Sequence, residues 1–409
     1  MQREFSINET KQKKERYILV SAAVGSFERA EASLDELALL VDTAGAEAVF
    51  KVIQSVESVH PATYVGKGKV AEISGLIDMY EADGIVCDDE LIPVQMRNLA
   101  EELDKKVIDR TILILDIFAA HSHTAEGKLQ VEMAQLKYRS SHLIGSGQVL
   151  SRLGGGIGTR GPGEKKLESD RRVIQKRIAV LTKELERLKG IRTNNRKKRA
   201  NSRIPVVAII GYTNAGKSTL LNRLTSSDVL EEDKLFATLD PTTRIGRLPG
   251  GTKVLFTDTV GFIEKLPHHV IDAFHSTLEE AGFADIILHV VDASDSNADM
   301  HMDVVYETLQ SLCIIGKPII TVFNKMDMVR GSECPRDGRA DTAVRISARK
   351  GEGIDSLLDE IGKIIRKDQS YIRRIIPYTE AEIIKDIRES GQLIREEYLA
   401  EGILIEAYI

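Results

Sequence analysis

Apolar and polar residues alternate along the chain in short blocks that predict strands and helices in turn. Apolar runs such as Tyr17–Val24 and Gly84–Cys87 predict buried strands, and helically spaced apolar positions over Ala30–Val41 and Pro93–Leu103 predict the helices between them. This alternation indicates a small α/β domain with a mainly parallel sheet over residues 17–120, after a polar lead at 1–16 that we expect to be disordered. A second α/β block covers residues 203–367, and residues 368–409 predict a small α+β domain.

The middle of the chain, residues 121–202, predicts a helical hairpin. Apolar residues at helical spacing indicate a long helix from Thr124 to Leu143. A coiled-coil-like seam then runs from Ile174 to Leu188, at alternating spacings of four and three, and we expect it to pair with the first helix. The glycine-dominated stretch Leu153–Gly163 between them predicts a loop.

Composition excludes several classes of protein. The chain has 409 residues, of which 42% are hydrophobic and 29% charged, and no apolar run reaches the roughly 18 residues that span a bilayer. The lead does not resemble a signal peptide, and the three cysteines lie too far apart in sequence to suggest a metal or disulfide pattern. We therefore predict a cytoplasmic protein, partly associated with ribosomes or a membrane surface, in which Cys87 and Cys313 are core thiols.

Positive charge is concentrated in residues 151–205, which carry a net charge of +12, whereas the rest of the chain carries −18. Such a segment in an acidic protein suggests a polyanionic partner, although charged helical faces are often only solvated and a glycine loop can be a simple linker. Aromatic residues for base stacking are absent here, so sequence-specific recognition of single strands is not indicated. We predict that residues 192–199 form a basic linker. The candidate RNA contacts are Arg160, Lys165, Lys166, Arg171, Arg172, Lys176, Arg177, Lys197, Lys198 and Arg199.

A phosphate-binding loop follows the apolar run Ile204–Ile210 and precedes a helical pattern. The motif G-x-x-x-x-G-K-[ST] is matched in full in the context that it needs, which makes a chance match in a turn the weaker alternative. Backbone N–H groups of such a loop form an anion nest at a helix N-terminus. The eight residues are Gly211, Tyr212, Thr213, Asn214, Ala215, Gly216, Lys217 and Ser218. We expect Lys217 to provide a cation for the β- and γ-phosphates and Ser218 to provide a hydroxyl for Mg²⁺.

A second lysine–glycine segment, residues 66–69, predicts either a phosphate-holding loop or a plain turn into a helix.

The base is selected, we predict, by Asn324-Lys325-Met326-Asp327 at the end of an apolar strand. The Asp327 carboxylate can accept two hydrogen bonds from guanine N1–H and N2–H₂, a donor pair that adenine lacks. We expect Asn324 to tie this loop to the phosphate loop, and the stem of Lys325 to lie along the base. Ile346-Ser347-Ala348, after another short strand, is similar to a loop of GTPases whose backbone N–H meets guanine O6.

Two further segments indicate response to the γ-phosphate. In the first, Asp258-Thr259-Val260-Gly261, we expect Asp258 to hold a water of the Mg²⁺ shell and the Gly261 N–H to meet the γ-phosphate. In the second, residues 235–243, we choose Thr238 as the Mg²⁺ ligand, with Thr242 as the second choice. The alternative for residues 235–243 is a solvated loop rich in hydroxyls.

Position 262 is Phe, where Ras-like GTPases have a water-orienting glutamine, so we predict slow intrinsic hydrolysis completed by a partner or another loop. Asn214 occupies the place where potassium-activated GTPases bind K⁺, an ion that would stabilise transition-state charge, although Asn214 can equally serve only to hold the loop. The predicted catalytic residues are Lys217, Thr238, Gly261 and Asn214.

These motifs, in this order and preceded by GGGIGTRGPGEKKLE and a basic helical hairpin, resemble the HflX family of bacterial GTPases over nearly the whole chain. The resemblance implies that Ser218 and Thr238 are Mg²⁺ ligands. It implies binding to the large ribosomal subunit and its rRNA, with the N-terminal domain and glycine loop reaching toward the peptidyl-transferase centre to split stalled or idle ribosomes under stress. It also implies guanine-nucleotide contacts from residues 211–218, from Phe236, Ala237, Thr238, Leu239 and Asp240, from Asp258, Thr259, Val260 and Gly261, from Asn324, Lys325, Met326 and Asp327, and from Ser347, Ala348 and Arg349.

The prediction is therefore a Mg²⁺-dependent GTPase that binds GTP and GDP, acts on ribosomes and is monomeric when free. One alternative is a guanine-nucleotide-gated RNA-binding or ribosome-assembly scaffold, which the apolar residue Phe262 keeps open. Another is an ATP-driven RNA remodeller in the N-terminal domain, an activity credited to some relatives, although this sequence has no second complete phosphate loop.

Overall fold

The computed structural model describes residues 14–153, 162–200, 204–225, 235–236, 242–249, 251–265, 281–314, 316–329, 334–367, 371–380, 383–384, 387 and 392–408. Over 144–167 and 193–200 only the backbone of these residues is described. The chain divides into two compact units, residues 1–117 with 138–173 and residues 118–137 with 174–409.

The first unit contains a four-stranded parallel sheet in the order β2-β1-β3-β4. All four residues of β3 are buried, as expected for a parallel strand covered on both faces. This confirms the predicted N-terminal α/β fold. The elements are β1 (Arg16–Val24), α1 (Phe27–Thr43), β2 (Glu47–Val56), α2 (Lys67–Tyr80), β3 (Gly84–Cys87), α3 (Pro93–Leu103) and β4 (Lys106–Asp109).

Helix α4 (Arg110–His121) contains the apolar pieces that follow β4 in the sequence. Asp109 caps the N-terminus of α4. Its Oδ1 accepts a hydrogen bond of 2.9 Å from the Ile112 N–H, a donor of the first turn that has no partner within the helix. The other oxygen of Asp109 accepts a 2.7 Å hydrogen bond from the Tyr138 hydroxyl. Arg110 is buried beside Asp88 and Glu36, at 2.9 Å from each carboxylate, so this interior charge has the partners it needs.

The segment at residues 66–69 forms a turn into α2. The Gly66 N–H donates to Gln54 Oε1 at 2.8 Å, and the Lys69 ammonium pairs with Glu72 on the same helix at 2.6 Å. The structure therefore favours the plain turn over a phosphate-holding loop.

The middle of the chain contains the two long helices α5 (Ala125–Leu153) and α6 (Pro162–Ala200). Within the second unit they are joined by ion pairs, Arg177 with Glu132 at 2.7 Å and Arg192 with Glu126, and Leu181 of the seam is fully buried. The predicted basic linker over 192–199 is wrong, since α6 continues through it as helix; Lys and Arg are good helix formers and no Gly or Pro interrupts the run. The glycine stretch over 154–161 lies outside the described residues.

The second unit contains a six-stranded sheet in the order β10-β9-β8-β5-β7-β6, parallel except for β6. Its core combines Val207 and Ile209 of β5 with Leu220 of the next helix and Val322 of β9. The fold is that of a P-loop GTPase domain, as predicted. The elements are β5 (Val206–Gly211), α7 (Lys217–Thr225), β6 (Thr242–Arg247), β7 (Lys253–Asp258), β8 (Ile286–Asp292), α8 (Ala298–Ser311), β9 (Ile319–Asn324), β10 (Thr342–Arg345) and α9 (Ile354–Lys367).

The C-terminal residues form a three-stranded antiparallel sheet in the order β11-β13-β12, from β11 (Tyr371–Ile376), β12 (Gln392–Leu399) and β13 (Gly402–Tyr408). Ile376 and Ile405 of this sheet pack with Ile384 and Ile387 from the segment before β12. Of the helix predicted over 379–389, only parts lie among the described residues.

Cys87 is buried, as predicted for a core thiol, but the prediction for Cys313 is wrong, since this residue is exposed. Cys313 follows α8 in a turn with a left-handed backbone at a φ of +55°, which directs the chain to the surface in spite of its apolar neighbours. None of the described helices combines the length and apolar character needed to cross a bilayer.

Candidate functional site

The phosphate loop joins β5 to α7 beside the strand at which the order of the sheet reverses. Open α/β sheets bind ligands in this crevice, outside the carboxyl ends of the strands. A Cβ on Gly211 would lie 2.2 Å from Val290 O, and one on Gly216, where φ is +91°, would lie 2.3 Å from Asn324 Nδ2. The two glycines therefore allow the loop to pack closely against β8 and the end of β9.

Lys217 opens α7 and is buried within the loop, with 7% of the residue exposed. Its ammonium donates a hydrogen bond of 2.8 Å to Tyr212 O. Burial lowers the pKa of Lys217 to about 8, although the nearby Asp258 acts in the opposite direction. A polyphosphate would supply the negative charge that a buried cation lacks.

Ser218, in the phosphate loop, and Asp258, at the end of β7, bring two side-chain oxygens together. The Ser218 hydroxyl donates to Asp258 Oδ2 at 3.0 Å, and Asp258 is completely buried. A hydroxyl and a carboxylate are hard oxygen donors of the kind that Mg²⁺ takes together with waters and phosphate oxygens. The residues present therefore fit the magnesium site predicted for them.

The segment after Asp258 is attached to the phosphate loop through three backbone groups. The Thr213 N–H donates to Phe262 O at 2.8 Å and the Phe262 N–H donates to Gly211 O at 3.1 Å. The Glu264 N–H donates to the Tyr212 hydroxyl at 2.7 Å. The Phe262 residue itself is buried, with 3% of its surface exposed.

Tyr212 has a second role that its sequence position did not suggest. Its ring stacks on His301 of α8, with centroids 3.8 Å apart and an angle of 11° between the planes. The imidazole lies 3.6 Å from the Asp295 carboxylate. The tyrosine therefore connects the phosphate loop both to α8 and to the segment that carries Gly261.

The two loops predicted to bind the base meet at the Asn324 side chain. Asn324 Nδ2 donates to Ala215 O and Asn324 Oδ1 accepts from the Ala348 N–H, each at 2.9 Å. The contact with Ala215 is the one expected for this amide, and the contact with Ala348 also ties in the second of the two loops. The Ser347 hydroxyl donates to Asp327 Oδ1 at 2.7 Å and lowers the pKa of Asp327, so this exposed carboxylate remains ionised.

Sequence analysis missed two residues that support these loops. Arg223, in the last turn of α7, donates from Nε to Ala348 O at 3.1 Å and from Nη2 to Arg349 O at 2.6 Å. Asp292, the last residue of β8, pairs with the Lys325 ammonium at 2.7 Å, so the lysine stem is fixed beside the predicted base position. No motif marks either residue, although Asp292 ends β8 at the same sheet edge as the phosphate loop.

Of the second γ-phosphate segment, only Leu235 and Phe236 and the residues from Thr242 onward are described; Ala237, Thr238, Leu239 and Asp240 lie outside the described residues. Phe236 is buried with a φ of +57°, and its ring meets the edge of Phe118 with centroids 4.6 Å apart, both residues belonging to the second unit. Thr242 is the first residue of β6 and pairs with Asp258 across the strands. The choice between Thr238 and Thr242 therefore stays a prediction.

The candidate RNA contacts are only partly described. Arg171 and Lys176 are exposed on α6. Arg172 pairs with Glu168 at 2.7 Å, and Arg177 makes two hydrogen bonds to Glu132 at 2.7 and 2.8 Å, so part of each cation's charge is already matched within the protein. Arg160 lies outside the described residues, and the side chains of Lys165, Lys166, Lys197, Lys198 and Arg199 are not described.

Comparison with known proteins matches three family models to successive parts of the chain. They are described as a GTP-binding GTPase N-terminal region over residues 31–119, a GTP-binding GTPase middle region over 121–199 and a 50S ribosome-binding GTPase over 206–325. A solved structure described as a complex of SsGBP and GDP covers 86% of this chain and 99% of that chain at 26% identity, with a TM-score of 0.48. This similarity is too low for a residue-by-residue comparison.

Curated relatives match over nearly the whole length. GTPase HflX of Lacrimispora saccharolytica is 58% identical over 98% of this chain and 95% of its own. GTPase HflX of Caldanaerobacter subterraneus subsp. tengcongensis is 46% identical over 97% and 91%, and that of Escherichia coli K12 is 42% identical over 80% and 78%. Together with the guanine-selecting loops and the phosphate loop, these matches establish that the chain is a GTPase of the HflX family.

Proposed function

We propose that this GTPase binds the large ribosomal subunit and uses a magnesium-dependent γ-phosphate switch to dissociate stalled or idle ribosomes. The observation that carries the proposal is the joint presence of a guanine-nucleotide site and an exposed basic helix, α6, in a chain whose GTPase domain matches a 50S ribosome-binding family model. Cations on an exposed helix suit rRNA phosphates because such contacts release counterions and need no sequence recognition. The acidic remainder of the chain limits non-specific binding.

In the nucleotide site, each proposed role follows from position. Asp327 accepts the guanine edge, Lys217 neutralises the β- and γ-phosphates, and the Gly261 N–H donates to the γ-phosphate. Ser218 holds Mg²⁺, with Asp258 acting through a water, and Thr238 completes the metal shell. Mg²⁺ held there would stabilise negative charge on the phosphates.

Hydrolysis by the free protein is slow in this proposal, because the buried Phe262 cannot orient the attacking water. The ribosome is then the partner that completes the site. Asn214 is exposed on the loop with a left-handed backbone, at a φ of +59°, and this position suits a K⁺ ion beside the phosphates. Equal GTPase rates in K⁺ and Na⁺ buffers would exclude that part of the proposal.

The test is co-sedimentation with large subunits in the presence of a non-hydrolysable GTP analogue, GDP or no nucleotide. We expect the GTP analogue to give the strongest binding. Arg171→Glu with Lys176→Glu should weaken it by about tenfold. The matched control, Lys363→Glu with Lys367→Glu on α9, carries the same change in charge and should bind normally. Pelleting that ignores both the nucleotide and the α6 variant would overturn the proposal.

Single-turnover hydrolysis separates the alternatives. Stimulation by large subunits supports the switch, whereas hydrolysis that large subunits leave unchanged favours a non-catalytic scaffold. ATP turnover that survives Lys217→Ala would instead favour an activity of the N-terminal domain.

A further inference from the structure

Thr213 carries a buried hydroxyl in the phosphate loop. The residue is 7% exposed, and its Oγ1 has no hydrogen-bond partner among the described parts of the chain. Its backbone N–H is already used by Phe262 O at 2.8 Å. A buried hydroxyl without a partner is costly, so a native structure that keeps one invites a search for the group that satisfies it.

The surroundings of Thr213 identify that group. An added Cβ on Gly261 would lie 2.8 Å from Thr213 Cγ2 and 3.0 Å from Lys217 Nζ. The Cγ2 methyl of Thr213 therefore lies beside the Gly261 backbone and near the lysine ammonium, and the unpartnered hydroxyl belongs to this same short side chain. Both Lys217 and Gly261 are proposed to meet the terminal phosphate. The ligand that suits a hydroxyl donor at this point is an anionic phosphate oxygen.

Phe262 supplies no such donor. Its backbone is fixed to the phosphate loop by two hydrogen bonds, and its ring is buried, so position 262 contributes no polar group to the reaction. Transition-state charge on the terminal phosphate must be stabilised from elsewhere. The unpartnered hydroxyl of Thr213 lies one residue from Tyr212, whose ring and hydroxyl hold the adjoining segment in place.

We infer that Thr213 is a further catalytic residue, whose hydroxyl donates a hydrogen bond to an oxygen of the γ-phosphate as GTP is hydrolysed. The water oxygen bonds to Pγ, and the bond from Pγ to the β–γ bridging oxygen breaks with its electron pair leaving on GDP. The water proton passes to the released phosphate or to solvent, and the threonine keeps its own proton. This inference rests on the proposed γ-phosphate site but not on ribosome binding.

The test compares Thr213→Val and Thr213→Ala, which lack the hydroxyl, with Thr213→Ser, which keeps it. Because one preorganised donor to a developing anion is worth a large factor in rate, single-turnover GTP hydrolysis by the free protein should fall by about tenfold or more in the Val and Ala variants. The Ser variant should stay within about threefold of the wild type. GDP affinity should change little in any variant, since GDP lacks the γ-phosphate.

The melting temperature of each variant shows that it is folded, and the GDP titration shows that its nucleotide site is intact. Both are measured before the hydrolysis rate of the variant loaded with GTP. Hydrolysis at the wild-type rate by a loaded Val or Ala variant would overturn the inference. A Ser variant as slow as Val would also overturn it, because the effect would then follow the methyl group. Co-sedimentation of the same variants with large subunits tests the proposed function separately, since a wild-type protein that fails to pellet leaves the hydrolysis comparison intact.

Discussion

The hydroxyl of Ser347 donates a 2.7 Å hydrogen bond to Oδ1 of Asp327 and so holds the carboxylate that is predicted to select the base. A carboxylate held in one orientation presents its acceptor oxygens to guanine without an ordering cost at the moment of binding. The hydrogen bond also lowers the pKa of Asp327, so the acceptor is ionised at neutral pH. In the proposed site, selectivity for guanine would therefore depend on a pair of side chains from two separate loops.

Replacing Asp327 by Asn should reverse the base preference. The amide would place a donor where guanine also has donors, so GTP affinity should fall by about 10⁴-fold, whereas xanthosine triphosphate, which has an oxygen at C2, should bind better. Ser347→Ala should weaken GDP binding by only about tenfold, since it removes one hydrogen bond to a charged group. Titration with fluorescent guanine and xanthine nucleotides measures both effects, and an unchanged base preference in the Asn variant would contradict the assignment.

Arg223 should set the lifetime of the bound nucleotide. Its two hydrogen bonds hold the carbonyls of Ala348 and Arg349, so Arg223→Met should loosen the loop that meets guanine O6 and speed GDP dissociation by about tenfold. The Arg223→Lys variant cannot make both hydrogen bonds, so its rate of GDP dissociation should lie between the rates of the wild type and of the Met variant. Stopped-flow release of a fluorescent GDP measures the rate, and Lys363→Met, an exposed cation on α9, is the control. Release at wild-type speed from the Met variant would show that the loop is held by other contacts.

Ser218→Ala should alter the Mg²⁺ requirement of hydrolysis more than it alters nucleotide binding. The alanine removes one of the two paired oxygens, so the Mg²⁺ concentration for half-maximal hydrolysis should rise by at least about tenfold. GDP binding in the absence of Mg²⁺ should change less, because the loop amides and Lys217 remain. A Mg²⁺ titration of single-turnover hydrolysis gives the comparison. Thr225→Ala, which removes another hydroxyl of α7, serves as the control. An unaltered Mg²⁺ dependence would remove Ser218 from the metal site.

His289 should make the GTPase domain less stable in mild acid. Burial lowers the pKa of His289 to about 4, against an ordinary value near 6.5, although Asp337, 3.9 Å from Nδ1, partly opposes the shift. Between pH 6.5 and 4 the unfolded chain binds a proton that the folded chain does not, so stability falls as the pH falls. The loss between pH 7 and pH 5 should be about 2 kcal/mol from this residue.

Urea unfolding of the wild type and of His289→Gln across this range measures that loss. The Gln variant should be less stable at pH 7, yet it should lack this part of the acid dependence. The Asp337 pKa is itself lowered, so its contribution is lost only below pH 4 and does not confuse the comparison. Parallel pH profiles for the two proteins would contradict the assignment to His289.

The sequence predicted the phosphate loop, the base loops and most strands because these depend on local rules. A short apolar run predicts a buried strand. A glycine or polar residue directly after it is then expected at the carboxyl end of that strand, which is the sheet edge where ligands bind. Asn324 was assigned its tie to the phosphate loop on this basis, and the structure gives it contacts to both Ala215 and Ala348.

The residues that the sequence did not reveal make contacts set by tertiary packing. Arg223 is one of many charged helix residues, and only the folded chain shows that its guanidinium reaches Ala348 O. The stacking of Tyr212 on His301 joins positions about ninety residues apart and follows no spacing rule. For the basic run that begins at Arg192, charge alone predicts a linker, whereas helix propensity without Gly or Pro predicts the helix that the structure shows.

The edge-on contact between Phe236 and Phe118 fixes one end of a segment whose other end begins β6 at Thr242. Any displacement of Phe236 when a nucleotide binds must either preserve this aromatic contact or break it. If the contact breaks, the free energy needed to separate the two rings is subtracted from the binding free energy of GTP. GTP then binds more weakly than it would to a pocket without this contact. The apparent affinity for GTP would then depend on a helix that ends at His121, far outside the nucleotide motifs in the sequence.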